Sequence, residues 1–526
     1  MNRASKLFIQ VLLGLNNMTF KAKKVIILGI DGLRPDMVNE WTMPNLTELG
    51  LKGTWSKNHK TVFPSETRGA LTALVTGSNA ETNGVFGNQF YIRDSDPNQI
   101  FTETTHDWYA ADNRLKGQLV TATSLAKVLR DADKKLAVIT SSGPGALSAL
   151  NWQGDKYGQI GFNVKHPQTA FPHGFAARAH RNLKIPAGGL SVDGPKTALK
   201  LFQKEVWPHH RPAVSILWFT EVDSAAHLYG LGSPEHYDRM RLCDDVVGEF
   251  LSWHSLQPDR DEISIFVVSD HGHITINSLV SVAEELRKAG FAADSSFEDK
   301  ATDLLLRPGR AAGIWMRRFD PVLLGDVLSF MTEQAWFGGA FTRAIEPGAP
   351  DGILANTLAL ELIGAGGPRA PDLCVNLAAG LGVSAAGIRG SAYYDAGDYD
   401  LRLGGGTHGG LHAAELSSVL ATYGAGQAKG LIADAPSSIT DIAPTVLSIL
   451  GIPCPATMSG RILRELTDDR SILSEVTSKE IRSSGGIKPT VLSVSRLGDR
   501  MYLNEGGLEG AMSHDITTSG GAGAVL

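Results

Sequence analysis

Cysteine is scarce in this sequence: Cys243, Cys374 and Cys454 are odd in number and far apart. With neither a C-x-x-C pair nor a disulfide framework, they are expected to be buried thiols in a reducing compartment. Charge of one sign is also lacking. The 49 basic and 55 acidic residues leave a net charge of −6, which argues against a nucleic-acid-binding surface. Long apolar runs are missing too. The run from Leu7 to Leu15, preceded by Arg3 and Lys6, is too short to span a bilayer. No small-x-small cleavage site follows it before the first strand pattern. Residues 1–22 therefore read as a non-essential leader, with Met18 an alternative start and a cytoplasmic location expected. Export is the alternative, if residues 1–17 act as a signal. No other stretch is long and apolar enough for a membrane span.

What is present is a recurrent strand pattern. At 526 residues the chain exceeds one simple core, so a large domain with an insertion is expected. Three continuous apolar runs, 24–30, 213–220 and 263–269, read as strands buried on both faces of a parallel sheet. Each runs into residues that can hold a cation: Asp31-Gly32, Asp223 with His227 four residues on, and Asp270-His271. Asp223 and His227 share a face if their segment is helical. Helix patterns at 43–50 and 124–131 and a strand pattern at 136–140 continue the α/β alternation. Residues 141–194, rich in Gly, Pro, His and Asn, read as an irregular excursion over the carboxyl edge of the sheet. Residues 276–395 change character, with helices at 282–289 and 321–332 and strands at 311–316 and 372–377. They read as an inserted α+β cap subdomain that recognises the leaving group or the substrate body. The core, begun at 23–275, resumes at 396–465 with Gly404-Gly-Gly-Thr-His408-Gly-Gly-Leu-His412. Residues 466–526 form an extension with a hairpin expected at 490–494 and 500–503 and a flexible Gly-rich end.

The stretch from Val62 to Gly77 places Thr67 where a loop meets an Ala/Leu-rich helix pattern. A hydroxyl there faces unpaired backbone N–H groups and the positive end of a helix dipole, which favours an anion such as a phosphoryl group. Taken alone, such a Thr is an ordinary N-cap. Set beside Asp31, Asp223, His227, Asp270, His271 and His408, it becomes a candidate nucleophile. These oxygen and nitrogen donors, without thiolate, suit two divalent ions, Zn²⁺ first, with Mn²⁺ or another divalent ion as alternatives. Ions about 3.5–4 Å apart can clamp the attacking and leaving oxygens of an in-line displacement. Arg68 and Asn88 are candidate substrate-binding residues. His273 and His412 read at most as supports behind the ligands.

The ordered motifs are Val-Ile-Ile-Leu-Gly-Ile-Asp31-Gly, Pro64-x-x-Thr67 with Gly77 ten residues on, Asp223-x-x-x-His227, Ser-Asp270-His271-Gly, Gly-Thr-His408-Gly-Gly and Asp441-Ile-Ala-Pro-Thr445. As a set the chain resembles the alkaline phosphatase superfamily and, within it, the type I phosphodiesterase/nucleotide pyrophosphatase branch. The resemblance implies a three-layer α/β sandwich with a mostly parallel central sheet and the inserted cap. It implies one metal held by Asp31, Asp270 and His271, which would bind Thr67 as an alkoxide. The other would be held by Asp223, His227 and His408. The implied reaction is hydrolysis of a small-molecule phosphodiester or pyrophosphate through phosphothreonine at Thr67. Ala70 stands where that branch commonly has Asn, and Asn83 where His is common, so the substrate is less fixed than the mechanism. A phosphonate hydrolase or phosphomonoesterase of the same superfamily is the alternative. A sulfatase would need a C/S-x-P-x-R signature, which is missing near Thr67.

Overall fold

Strand Lys24–Ile30 sends Val25 and Ile27 into one hydrophobic cluster and Ile26, Leu28 and Ile30 into another. An unbroken apolar run is what a strand between two helical layers requires, because neither face meets water. The computed structural model describes residues 22–93, 95, 100–101, 105–186, 193–397, 401–467, 475–486 and 488–511. Helices Thr67–Thr76, Leu125–Asp131, Pro144–Leu150 and Ile442–Ile449 cover the first face. Helices Pro44–Lys52, Gly194–Leu201 and Pro234–Ser255 cover the second.

The central sheet has eight strands, in the order Leu431–Ala433, Thr54–Ser56, Leu420–Gly424, Ile263–Val268, Lys24–Ile30, Val214–Phe219, Leu136–Thr140 and Ile160–Asn163. Lys24–Ile30 pairs in parallel with both of its neighbours. Leu420–Gly424 runs antiparallel to the strands on its two sides, so the sheet is mostly parallel. The three strands that precede the candidate ligands are therefore adjacent and end on the same side.

Residues 141–194 are more regular than expected. They hold helix Pro144–Leu150, strand Ile160–Asn163 at the sheet edge and helix Phe175–Leu183. These elements are short, and Gly or Pro stands at their ends, so no periodicity accumulates. Within 276–395, helices Val282–Lys288 and Pro321–Thr332 contribute to a core of their own with a mixed six-stranded sheet. Strand Ile274–Val280 belongs to a separate four-stranded sheet and pairs with Gly406–Thr407. The segment thus leaves and re-enters the core beside the candidate ligands.

After residue 466, strands Thr490–Leu497 and Arg500–Leu508 form a hairpin, joined by Val476–Arg482. The sequence Val-Thr-Ser-Lys-Glu-Ile-Arg of that third strand is mostly exposed and polar, so it carries little apolar signal. Cys243 and Cys374 are buried, whereas Cys454 is exposed, in the loop after helix Ile442–Ile449. Among the described residues, no helix is long and apolar enough to cross a membrane. The expected leader, apart from Ala22, and the Gly-rich end lie outside the described residues.

Gly29 is opposite Trp218 in the parallel register, and a Cβ on it would collide with the indole ring. Gly29→Ala is therefore expected to lower stability by about 1–3 kcal/mol through overpacking, read by urea unfolding. An unchanged midpoint would contradict this packing.

Candidate metal centre

Strand Lys24–Ile30 delivers Asp31 at its carboxyl end, and strand Ile263–Val268 delivers Asp270 and His271 two and three positions past its end. After strand Val214–Phe219 the chain turns directly into helix Glu221–Tyr229, which puts Asp223 and His227 on one face, as their spacing predicted. His408 follows the short strand Gly406–Thr407. Thr67 is the first residue of helix Thr67–Thr76, and Glu66 occupies the N-cap. The N-cap reading of Thr67 is thereby corrected: its hydroxyl is free of capping geometry and lies 3.2 Å from His271 Nε2.

The seven predicted residues separate into two sets. In the first, Asp31, Asp270 and His271 are fully buried. Each carboxylate uses one oxygen within the protein. Asp31 Oδ2 accepts from Trp218 Nε1 at 3.1 Å, and Asp270 Oδ1 accepts from the Gly32 and His271 amides at 3.0 Å each. Asp31 Oδ1 and Asp270 Oδ2 are buried without a hydrogen-bond partner and lie 3.6 and 3.4 Å from His271 Nε2. Ligands around a tetrahedral ion with bonds of about 2.0–2.1 Å stand about 3.3 Å apart, close to these separations. Burial, and then the charges of Asp270 and Asp223, push the Asp31 carboxyl well up. Burial likewise raises Asp270. Two acids that resist ionisation together, with their free oxygens converging, form a donor set whose charge a divalent cation would offset.

The second set is Asp223, His227, His408 and His273. Asp223 Oδ1 lies 3.3 Å from His227 Nε2 and 3.7 Å from His408 Nε2. His227 Nδ1 is 2.7 Å from Gly406 O, and His408 Nδ1 is 2.8 Å from Ser65 O. A carbonyl only accepts, so both rings carry the proton on Nδ1 and turn an Nε2 lone pair inward. His271 follows the same rule through Gly272 O at 3.1 Å. Burial, and then the neighbouring imidazoles, hold His408 well below its ordinary value, neutral as a ligand must be. The His271 and His408 rings stack with centroids 3.7 Å apart, so the two sets adjoin. The donor types and separations fit divalent cations in both sets.

Asn88 and Thr67 line one cavity of about 380 Å³ together with Asp223, His227 and His408. Asn88 Oδ1 accepts from Arg68 N at 2.9 Å, which caps the nucleophile helix. The Arg68 guanidinium packs against Gly145 and near the Trp108 ring, and its Nη1 donates to Asn88 O at 3.3 Å. His412 caps helix Ala413–Leu416, away from both sets.

His273, read from the sequence as a support behind the ligands, stands beside the second donor set with Nε2 2.9 Å from Asp223 Oδ1. One feature escaped the sequence reading, a buried ion pair between Glu66 and Arg307. Glu66 Oε2 also accepts from the Asn88 amide at 2.6 Å, so this carboxylate ties the Thr67 loop to the Asn88 loop and to strand Leu304–Arg307. No local pattern links residues 241 positions apart.

The family model described as type I phosphodiesterase / nucleotide pyrophosphatase matches residues 25–323. The chain is 25% identical over 260 residues to a venom phosphodiesterase of Naja atra, covering 48% of this chain and 26% of that protein. It is 23% identical over 261 residues to human ectonucleotide pyrophosphatase/phosphodiesterase family member 1, covering 48% and 24%. The chain therefore spans about a quarter of the length of these relatives. Murine ectonucleotide pyrophosphatase/phosphodiesterase 5 has a similar fold, with a TM-score of 0.58 at 16% identity, covering 85% of this chain and 100% of that one.

Arg307→Met should strand the Glu66 carboxylate in a buried site and destabilise by about 3–5 kcal/mol. Adding Glu66→Gln should recover part of that loss in a double-mutant cycle read by urea unfolding. Strictly additive losses would show that the pair is not coupled.

Proposed function

Since the chain belongs to the type I phosphodiesterase/nucleotide pyrophosphatase family, we propose that it hydrolyses phosphodiester or pyrophosphate bonds of a small-molecule substrate with Thr67 as the nucleophile. The observation that carries this reading is the convergence of Asp31 Oδ1, Asp270 Oδ2 and Thr67 Oγ1 on His271 Nε2, next to a second donor set. Asp31, Asp270 and His271 would hold one cation, and Asp223, His227 and His408 the other, with Zn²⁺ the first choice and Mn²⁺ an alternative. Such cations supply Lewis acidity, which makes a neighbouring hydroxyl easier to deprotonate and offsets charge on the phosphoryl oxygens.

The chain's own residues do the rest. Thr67 Oγ1 loses its proton to solvent and attacks phosphorus. The bond from Thr67 to phosphorus forms as the bond to the leaving oxygen breaks. Water then cleaves the phosphothreonine and restores the hydroxyl. Asn88 Oδ1 is committed to the Arg68 amide, which leaves Nδ2 as the donor for a phosphoryl oxygen. Arg307, Pro308, Gly309 and Tyr394 bring residues 276–395 to the cavity wall, and we assign that segment to recognition of the leaving group. Among the relatives, one from Xenopus laevis is named a bis(5'-adenosyl)-triphosphatase, and an inactive form of the murine protein is described in complex with AMP. Nucleotide diesters therefore belong in the first substrate panel.

Thr67→Ala should abolish turnover of bis-p-nitrophenyl phosphate while elemental analysis still finds about two divalent ions per chain. Retained turnover would remove Thr67 from its role. Chelation should silence the wild-type protein, and Zn²⁺ or Mn²⁺ should restore it. A preference for a phosphonate or monoester over every diester tested would favour the alternative reading.

A further inference from the structure

His273 stands apart from the other three histidines at this centre. His227, His271 and His408 each give Nδ1–H to a backbone carbonyl, which frees Nε2 as a lone pair. His273 Nδ1 is buried with no hydrogen-bond partner, so nothing holds a proton there. Its Nε2 lies 2.9 Å from Asp223 Oδ1, hydrogen-bond distance, whereas His227 and His408 keep 3.3 and 3.7 Å from the same oxygen. Those longer separations suit co-ligands of one tetrahedral ion, which stand about 3.3 Å apart. The shorter one suits a donor.

We propose that His273 is a positioning residue whose Nε2–H donates to Asp223 Oδ1 and fixes that carboxylate for the cation held by Asp223, His227 and His408. The proposal rests on reading Asp223 as a metal ligand. The proton belongs on Nε2 because a hydrogen bond to a carboxylate is charge-assisted, while an N–H at Nδ1 would be buried without an acceptor. A protonated Nε2 has no lone pair to coordinate, so His273 is not a fourth ligand.

The ring sits in a built slot. A Cβ on Gly32 would come within 2.7 Å of Nε2, and one on Gly406 within 3.0 Å of Nδ1. The buried Arg34 donates to His273 O at 2.9 Å and to Arg389 O at 2.8 Å, which pins the backbone from behind. Asp223 is thus oriented before any cation arrives. Some of its charge is drawn into the hydrogen bond, which leaves the cation a stronger electrophile.

The test is equilibrium Co²⁺ titration of the metal-free full chain, with the visible absorption spectrum as the second readout and no substrate present. His273→Leu should weaken one of the two binding steps about 10–100-fold and leave the other unchanged. His273→Gln, whose side-chain N–H falls where Nε2–H was, should bind within about threefold of wild type with an unaltered spectrum. If Gln is as weak as Leu and its spectrum changes, His273 is a ligand and the proposal is overturned. Unchanged affinity in both variants overturns it as well. Should the Leu variant fail to fold, the Gln variant decides alone: wild-type affinity and spectrum support the proposal, and a shift in either overturns it. Wild-type protein that takes up no Co²⁺ sinks the metal-centre reading itself, whereas intact binding without diesterase turnover sinks only the proposed activity.

Discussion

Three carboxylates, two of them fully buried and one partly buried, follow three adjacent strands and are the constraint on which the rest of this structure depends. Parallel neighbours lie about 4.8 Å apart, so residues that follow strands Ile263–Val268, Lys24–Ile30 and Val214–Phe219 cannot avoid one another. Asp270, Asp31 and Asp223 are the result, and their mutual repulsion in a dry interior is costly. The protein compensates part of this with Trp218 and two backbone amides on Asp31 and Asp270, and with imidazoles on Asp223. The oxygens left over converge instead of being buried among donors. An arrangement selected for stability alone would have satisfied them, because apolar residues of similar size would cost less at these positions.

Thr67, beside these donors, is held from several sides. Thr67 opens a helix whose first turn is capped by Asn88, while Glu66 just before it pairs with Arg307 from the inserted segment. Gly87 and Gly409 both crowd the Glu66 carboxylate, so a side chain at either would displace it. The loops bearing Thr67, Asn88 and His408 therefore meet at one carboxylate. The inserted segment and the Thr67 loop share a buried ion pair and cannot move independently without exposing a charge, so their placements are mechanically joined.

The candidate donors were legible in the sequence because most of them follow an unbroken apolar strand, and a carboxylate or imidazole soon after such a strand has few structural uses. Asp31, Asp223 and Asp270 stand out on that ground, and His227 by its helical spacing from Asp223. The 24–30, 214–219 and 263–268 strands were likewise plain from their unbroken apolar runs. Strand Ile160–Asn163 was hidden because four residues cannot establish a period, and Val476–Arg482 because most of its side chains face water. The Glu66–Arg307 pair and the hydrogen bond from His273 to Asp223 depend on how distant segments pack, which no local window contains.

This division also accounts for how far the chain has diverged from its relatives. A cation accepts donors only within a few tenths of an ångström of their ideal distance, so the residues that hold it change last. The walls of a substrate cavity face softer limits, since a lost contact is replaced by water or by a neighbouring side chain at modest cost. The fold shared with the murine protein covers 85% of this chain at 16% identity, so the architecture persists where most side chains differ. Ala70 stands in the first turn after Thr67, buried, and offers no polar group there. The polar side chains that line the cavity beside Thr67 come from other segments, Asn88 among them.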